Sequence, residues 1–281
     1  MKYGFIVHGA NISTLIELAK EVEAANWDGV FVADSIYWNE DPYITLAAIA
    51  LNTTRVRLGT MITPVTRYRP WDLAMKVATV DHLSHGRMIL PVGLGAVDTG
   101  FANVGEATER KVRAERTDEG LEIIAGLWHK KVLNFAGKYF QLKNVKFGVK
   151  PVQTPRVPIW VVGAWPFDKS IQRALKYDGI AFAKMNAKGK FAETQPDDIR
   201  EFQVYARKHR KPSTQSSSFD IVLEGMTDIE DCAKASAKVR PLMEAGVTWW
   251  IESMWGHPIF KHTGIVEGLR RRIRQGPPQV D

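Results

Sequence analysis

The stretch Tyr3-Gly-Phe-Ile-Val-His8, followed by Ile12 to Asn26 and then by Gly29-Val-Phe-Val-Ala-Asp34, sets the architecture. Its first and last runs are almost continuously apolar, as expected of strands covered on both faces. Between them Leu15, Leu18, Ala19 and Val22 recur at helical spacing. The same rhythm repeats outward. Further strands are predicted at Val56 to Thr63, Met88 to Gly93, Ile159 to Gly163, Gly179 to Lys184, Phe219 to Leu223 and Thr248 to Glu252. Further helices are predicted at Pro42 to Asn52, Pro70 to Leu83, Arg116 to Trp128, Asp168 to Lys176, Asp197 to His209, Asp228 to Ala245 and Ile265 to Arg274. Two of these open on proline, whose missing N–H is harmless at a helix start. Eight strand–helix units in 281 residues predict an α/β fold, a (β/α)8 TIM barrel forming a single domain over residues 1–281. Such a barrel carries its chemistry on the loops after the strands.

The segment Lys131 to Pro158 interrupts the alternation between the fourth helix and the fifth strand. Phe135, Tyr139, Phe140 and Leu142 around Gly137 predict a hairpin, and Pro151, Pro155 and Pro158 an extended approach to the next strand. Asn186 to Pro196 and Pro212 to Ser218 read as loops. A chain 45% hydrophobic and 25% charged has the balance of a soluble globular protein. Met1 to Ala10 is too short in its apolar part for a signal peptide, and no stretch approaches the roughly 18 apolar residues of a membrane span. A cytoplasmic protein without a membrane role is expected. The single cysteine, Cys232, excludes an intrachain disulfide and reads as a packed thiol. The net charge of +7 gathers at Arg207, Lys208, Arg210 and Lys211 and at Arg270, Arg271, Arg272 and Arg274. Both clusters sit at helix ends, where cations suit the dipole, so no nucleic-acid partner is expected. A mild positive field also suits an anionic, phosphorylated cofactor.

Several segments stand at strand ends in a consistent order. They are Arg55-Val-Arg-Leu-Gly-Thr-Met-Ile-Thr-Pro64, Asp81-His-Leu-Ser-His-Gly-Arg87, Gly86-Arg-Met-Ile-Leu-Pro-Val-Gly-Leu-Gly-Ala96, Arg116-Thr-Asp-Glu-Gly-Leu-Glu-Ile-Ile-Ala-Gly-Leu-Trp128, Val161-Val-Gly-Ala-Trp-Pro166 and Glu244-Ala-Gly-Val-Thr-Trp-Trp-Ile-Glu252. Together they resemble the luciferase-like flavin- or deazaflavin-dependent oxidoreductases, from the first strand to the last. The resemblance implies a cofactor, FMN or a 5-deazaflavin of the F420 type, over the carboxyl ends of the strands. It places a non-proline cis peptide at Met61-Ile62, next to Thr60, supporting the ring from behind. Gly93 and Gly95 lack a Cβ, so backbone there can approach a flat ring; a tight strand–helix turn is the alternative. Gly163 and Ala164 precede a helix start, where free N–H groups suit a phosphate; alternatively Asp168 caps that helix and Trp165 packs.

The departures from the pattern are specific. Bacterial luciferases place a phosphate-binding arginine just after the fourth strand, where this chain has Leu94. The deazaflavin-dependent sugar-phosphate dehydrogenases place a histidine after the second strand and a carboxylate after the fourth-strand glycines. Here Ser35 and Ala96 stand at those positions. Polar and aromatic residues left near strand ends are His8, Asp34, Tyr37, Trp38, Lys184, Glu224, Glu252 and Trp255. His8 suits proton transfer by its near-neutral pKa, or is a hydrogen-bonded structural residue. Glu252, beside Trp249-Trp-Ile251, is a candidate acid with a raised pKa, or forms a salt bridge to an arginine. Lys184 meets a cofactor phosphate or is solvated. Trp38, Trp165 and Trp255 are candidate walls of an apolar substrate pocket. His82 and His85 have no carboxylate or cysteine to complete a metal site, so no metal is expected. The chain carries no nucleophile elbow and no Gly-Lys-Ser or Gly-Lys-Thr phosphate loop.

The expected function is a flavin-dependent oxidoreductase acting on a small organic substrate, as a monooxygenase with FMN or by hydride transfer with deazaflavin. The alternative is a non-catalytic flavin-binding protein or carrier, motivated by Ser35, Leu94 and Ala96. The apolar faces of Pro42 to Asn52 and Trp71 to Leu83 predict a homodimer.

Overall fold

A computed structural model describes residues 1–37, 40–96, 100–211 and 218–280. Trp38 and most of the Pro212 to Ser218 loop lie outside them. Eight parallel strand positions form a barrel with helices outside. In chain order the elements are β1 (Lys2–Val7), α1 (Ile12–Ala24), β2 (Gly29–Val32), α2 (Pro42–Asn52), β3 (Arg57–Thr60), β4 (Thr63–Pro64), α3 (Pro70–Leu83), β5 (Leu90–Gly93) and α4 (Arg110–His129). A hairpin follows, β6 (Leu133–Ala136) and β7 (Gln141–Val145), and then β8 (Ile159–Trp165), α5 (Asp168–Ala174), β9 (Gly179–Lys184), α6 (Pro196–His209), β10 (Asp220–Gly225), α7 (Cys232–Glu244), β11 (Trp249–Glu252), α8 (Phe260–Thr263) and α9 (Ile265–Gln275).

The sheet order β3-β2-β1-β11-β10-β9-β8-β5-β4 ends on two halves of one interrupted strand, β3 and β4. The break is the Met61–Ile62 peptide, which is cis, as the resemblance implies. β3 pairs with β2, and β4 with β5. Leu58 N–H donates to Arg87 O at 3.0 Å and Ile89 N–H to Leu58 O at 2.8 Å, closing the ring. Inside, Ile6, Phe31, Ile89, Trp160, Val222, Trp249 and Ile251 fill the lower barrel. The larger core lies between strands and helices. Strand side chains alternate between these two cores, and this parity decides which residues reach the mouth.

The Asp81-to-Arg87 motif belongs to the opposite end. Arg87 is buried and donates to the carbonyls of Ala50, Thr53, Val56 and Ser84, satisfying the C-terminal end of α2. Asp81 accepts from the N–H groups of Val152 and Gln153, anchoring the chain after the hairpin. His82 Nε2 lies 2.6 Å from Lys150 O. The basic tail is largely paired: Arg270 with Glu21, Arg271 with Glu230, Arg274 with Glu267 and Arg272 with Glu252.

Two helix starts differ from the sequence reading. α4 begins at Arg110 rather than Arg116, because its first turns carry little apolar periodicity and are held instead by Arg113. α7 begins at Cys232 rather than Asp228. Asp228 accepts from the N–H groups of Glu230 and Asp231, a local turn, and Asp231 then caps the helix at Lys234 N. Cys232 is exposed rather than packed. Among the described residues, no helix is long and apolar enough to cross a membrane.

Candidate active site

A cavity of about 1820 Å³ opens at the carboxyl ends of the strands. Met61, Ile62, Gly93, Gly95, Ala164 and Lys184, six residues read from sequence as cofactor contacts, line it. Small residues face inward on one side: Gly93 on β5, Ala164 on β8, Ala181 and Ala183 on β9. A Cβ at Gly93 would run into Ile62 and lie 3.2 Å from Val162. Gly95 has φ +80°, and a Cβ there would meet Phe101 and Pro64 at 2.7 and 2.8 Å. Both positions therefore need glycine, because Ile62 at one and Phe101 and Pro64 at the other occupy the space a side chain would take.

Two other expected contacts face away. A Cβ at Gly163 would strike Ile180 and lie 3.1 Å from Ile171, so this glycine lets α5 approach the barrel. Thr60 is fully buried; its Oγ1 lies 2.7 Å from Thr63 Oγ1, which lies 2.7 Å from the Tyr43 hydroxyl. Thr60 and Thr63 thus brace the Met61–Ile62 corner from outside. Lys184 faces α6, where its ammonium is paired with Asp198 rather than solvated. The N–H of Ala164 donates to Ser170 Oγ at 3.0 Å, so the loop before α5 does not present that group to a phosphate. Asp168 does not cap α5; its carboxylate receives the Tyr205 hydroxyl, and Trp165 packs against Phe182, Phe202 and Tyr205.

Parity separates the two glutamates. Glu252 points outward and is fully buried. Its Oε1 accepts Thr227 N–H at 2.7 Å; its Oε2 accepts the Thr227 hydroxyl at 2.7 Å, Trp250 Nε1 at 3.1 Å and Arg272 Nη2 at 3.3 Å. The reading of Glu252 as a catalytic acid is corrected: it is one half of a buried structural ion pair. Glu224, two residues beyond the inward Val222, stands in the mouth and lines the cavity. It accepts a 2.7 Å hydrogen bond from Trp255 Nε1. Its surface opens onto the cavity, yet the surrounding walls desolvate the carboxylate and raise its pKa, with the bonds from Trp255 and Ser253 opposing.

His8 closes β1 on the inward side. It is buried, and its ring centroid lies 4.3 Å from that of Trp255. Its Nε2 has no hydrogen-bond partner among the described residues, and burial pushes its pKa down to about 4. It is therefore a neutral imidazole at pH 7. Asp34, after β2, is buried against Arg67 Nη1 at 2.5 Å and the Tyr68 hydroxyl at 3.0 Å. Burial raises its pKa to about 6 although Arg67 opposes this. Arg113 of α4 was not singled out from sequence. Its Nη1 donates to Leu94 O at 3.1 Å and Gly95 O at 2.6 Å, fixing the glycine loop. No local pattern marks it, because its partners lie 18 and 19 residues earlier. No group of three or more His, Cys, Asp or Glu among the described residues is placed to hold a metal.

Comparison with known proteins agrees with the barrel fold. A family model described as luciferase-like monooxygenase matches residues 3–266. An F420-dependent glucose-6-phosphate dehydrogenase from Amycolatopsis mediterranei (strain U-32) is 35% identical over 161 residues, 54% of this chain and 48% of that protein. The matched stretch thus spans about half the length of that curated relative. A solved F420-dependent secondary alcohol dehydrogenase, in complex with an F420-acetone adduct, superposes with a TM-score of 0.77 at 18% identity over 99% of this chain and 98% of that one. The oxygenating constituent of 3,6-diketocamphane monooxygenase from Pseudomonas putida, in complex with FMN, gives 0.70 at 14% identity over 99% and 98%. At these identities the two structures speak to the fold.

Proposed function

This chain belongs to the luciferase-like monooxygenase family, and on that premise we propose that it is an oxidoreductase using a 5-deazaflavin of the F420 type for hydride transfer with a small organic alcohol or carbonyl compound. The observation that carries the reading is the two-sided mouth. One wall is the small side chains of Ala164, Ala181 and Ala183 with closely packed glycine backbone at Gly93 and Gly95; the other presents Glu224 held by Trp255. The low wall of alanines and closely packed glycine backbone leaves the width of the mouth to a flat ring. When bound, the deazaflavin supplies a hydride donor or acceptor at its ring.

The protein's part is positional and acid–base. Glu224 holds or takes the proton at the substrate oxygen, and its raised pKa brings it nearer the range where a carboxyl group serves in both directions. Trp255 fixes the carboxylate through its indole N–H and lies against His8. Neutral His8 adds a second polar group to that side. Met61 and Ile62 form the corner between the two walls. Leu94, in place of the luciferases' arginine, and the F420-dependent relative favour deazaflavin over FMN. The domain is read as one barrel unit that pairs as a homodimer through the exposed Ile44 and Leu51 of α2 and Trp71 and Met75 of α3.

Titration of oxidised F420 and of FMN, followed by fluorescence, tests the cofactor. Glu224→Gln tests the acid–base role: kcat on an alcohol or ketone substrate falls about 10²- to 10³-fold with cofactor affinity retained. Wild-type protein that binds neither ring sinks the reading. Full turnover by the glutamine variant removes Glu224 from it.

A further inference from the structure

The mouth has an outer rim as well as two walls. Phe191 is 81% exposed, more than any other large apolar side chain among the described residues, and Phe167 is 41% exposed. Both line the cavity. We propose that Phe167 and Phe191 form an aromatic rim that takes the apolar part of the substrate, so that the alcohol or carbonyl compound turned over here carries a hydrocarbon chain of several carbons. For the reaction this rests on the reading above, but the rim itself is judged by binding alone.

Register brings the two rings to neighbouring loops. β8 and β9 pair in parallel with Trp165 opposite Lys184, and Met185 N–H donates to Trp165 O at 2.8 Å. Phe167 stands two residues past Trp165, and Phe191 is bridged antiparallel to Met185. The Phe191 loop is built to hold its shape. Asn186 N–H donates to Lys190 O at 2.8 Å and Ala192 N–H to Lys184 O at 2.9 Å, one on each side of Phe191. Asn186 Oδ1 accepts the N–H groups of Lys188 and Lys190 at 2.9 and 3.1 Å, and Gly189 takes φ +70° at the turn. Asp198 ties down both ends of the loop, receiving the Lys184 ammonium and, at 2.9 Å, Gln195 N–H. Phe167 is held by its N–H, which donates to Ala164 O at 2.7 Å. A single exposed apolar residue is ordinary. Two phenyl rings on adjacent, hydrogen-bonded loops of one cavity are not scattered, and whatever fills the cavity is what covers them.

The proposed chemistry lies below the rim. Ala164 stands opposite Ala183, and the β9–β10 register, with Val222 opposite Ala181, continues to set Glu224 beside Ala183. Met185, which Phe191 bridges, is two residues further along the chain, about 7 Å for extended backbone. A substrate with its oxygen at Glu224 therefore reaches the rim only through an apolar group of about that length, and a three-carbon alcohol stops short. Met61, Ile62 and Met185, also on the cavity, extend the apolar surface.

Initial rates with F420 on propan-2-ol and on octan-2-ol provide the test, in wild type, Phe167→Ser, Phe191→Ser and Phe191→Leu. Wild type prefers octan-2-ol in kcat/KM, by about threefold for each methylene that meets the rim. Each serine variant raises KM for octan-2-ol about 4- to 12-fold, the effect of uncovering one face of a phenyl ring. In the same variants kcat, KM for propan-2-ol and the affinity for F420 change by less than about twofold. Phe191→Leu keeps most of the preference. Equal effects on the two alcohols, or none, overturn the rim. A loss of F420 affinity would give the phenyl rings to the cofactor, and a change of mass in light scattering would give them to a second copy of the chain; either overturns it too. Calorimetric titration of octan-2-one into cofactor-free protein decides the rim without turnover: wild type binds, and Phe191→Ser binds about 4- to 12-fold more weakly. If wild type binds no ring, or turns over neither alcohol, the reading of the reaction fails while this titration still judges the rim. Equal binding by the two proteins, or none by either, refutes it.

Discussion

Replacing His8 by Gln should change how stability depends on pH, by an amount the structure sets. The imidazole is buried at the top of β1 beside Trp255, and nothing among the described residues accepts or donates at Nε2. Desolvation alone holds its pKa at about 4, against 6.5 in the ordinary, unfolded environment. Between those values the unfolded chain binds a proton at His8 that the native protein refuses. Stability is therefore complete above pH 6.5 and is lost as pH falls towards 4. A gap of about 2.5 at roughly 1.36 kcal/mol per pH unit makes the loss ~3 kcal/mol. Asp34 works in the opposite sense. Its folded pKa of about 6 lies above the ordinary 3.8, so the native protein holds the extra proton, and stability falls as pH rises from 3.8 to 6. The two contributions nearly cancel in wild type, and single variants expose them. Urea unfolding at half-unit steps from pH 4 to 8 is the assay. The wild-type minus His8→Gln difference should shrink by ~3 kcal/mol as pH drops from 7 to 4. The wild-type minus Asp34→Asn difference should grow by ~3 kcal/mol over the same fall. A His8→Gln curve that runs parallel to wild type would refute the burial argument, and with it the neutral imidazole in the mouth.

Glu252→Gln leaves Arg272 buried with a weakened partner, so a loss of about 3 kcal/mol in unfolding free energy is expected, with the pH profile of turnover unchanged. A loss below about 1 kcal/mol, or a displaced profile, would return Glu252 to the chemistry. Gly95→Trp forces a side chain onto a φ of +80° against Phe101 and Pro64, and should abolish cofactor binding while the far-UV circular dichroism is retained; unchanged affinity would place this loop away from the ring. Ile44→Glu with Leu51→Glu puts two charges on the exposed apolar face of α2 and should convert a dimer to a monomer in light scattering. A wild-type monomer at working concentration would remove the proposed interface.

What could be read from the sequence, and what could not, divides on one physical point. The eight strands, the helices between them and the hairpin around Gly137 follow from apolar periodicity and from proline and glycine placement, which are local. So does the mouth as the place to look. Facing is different. A barrel strand is apolar on both sides, so Ile221-Val-Leu223 and Trp249-Trp-Ile251 carry no alternation from which to count. A shift of one residue exchanges inside for outside. That is why Glu252 was read as the acid and Glu224 only as one of the polar residues near strand ends, and why Gly163 and Thr60 read as mouth residues alongside Gly93 and Met61. Only the packed interior settles the phase: with Trp249 and Ile251 inside, Glu252 must meet Arg272, and with Val222 inside, Glu224 must enter the cavity. Arg113 was hidden for a related reason. Its partners are backbone carbonyls 18 and 19 residues away, and a carbonyl leaves no trace in residue identity. The same logic gives Leu94 its meaning. A missing arginine in one loop does not remove a guanidinium from the site when a neighbouring helix can deliver one, so a departure from a family motif is a statement about one position and not about the chemistry of the mouth.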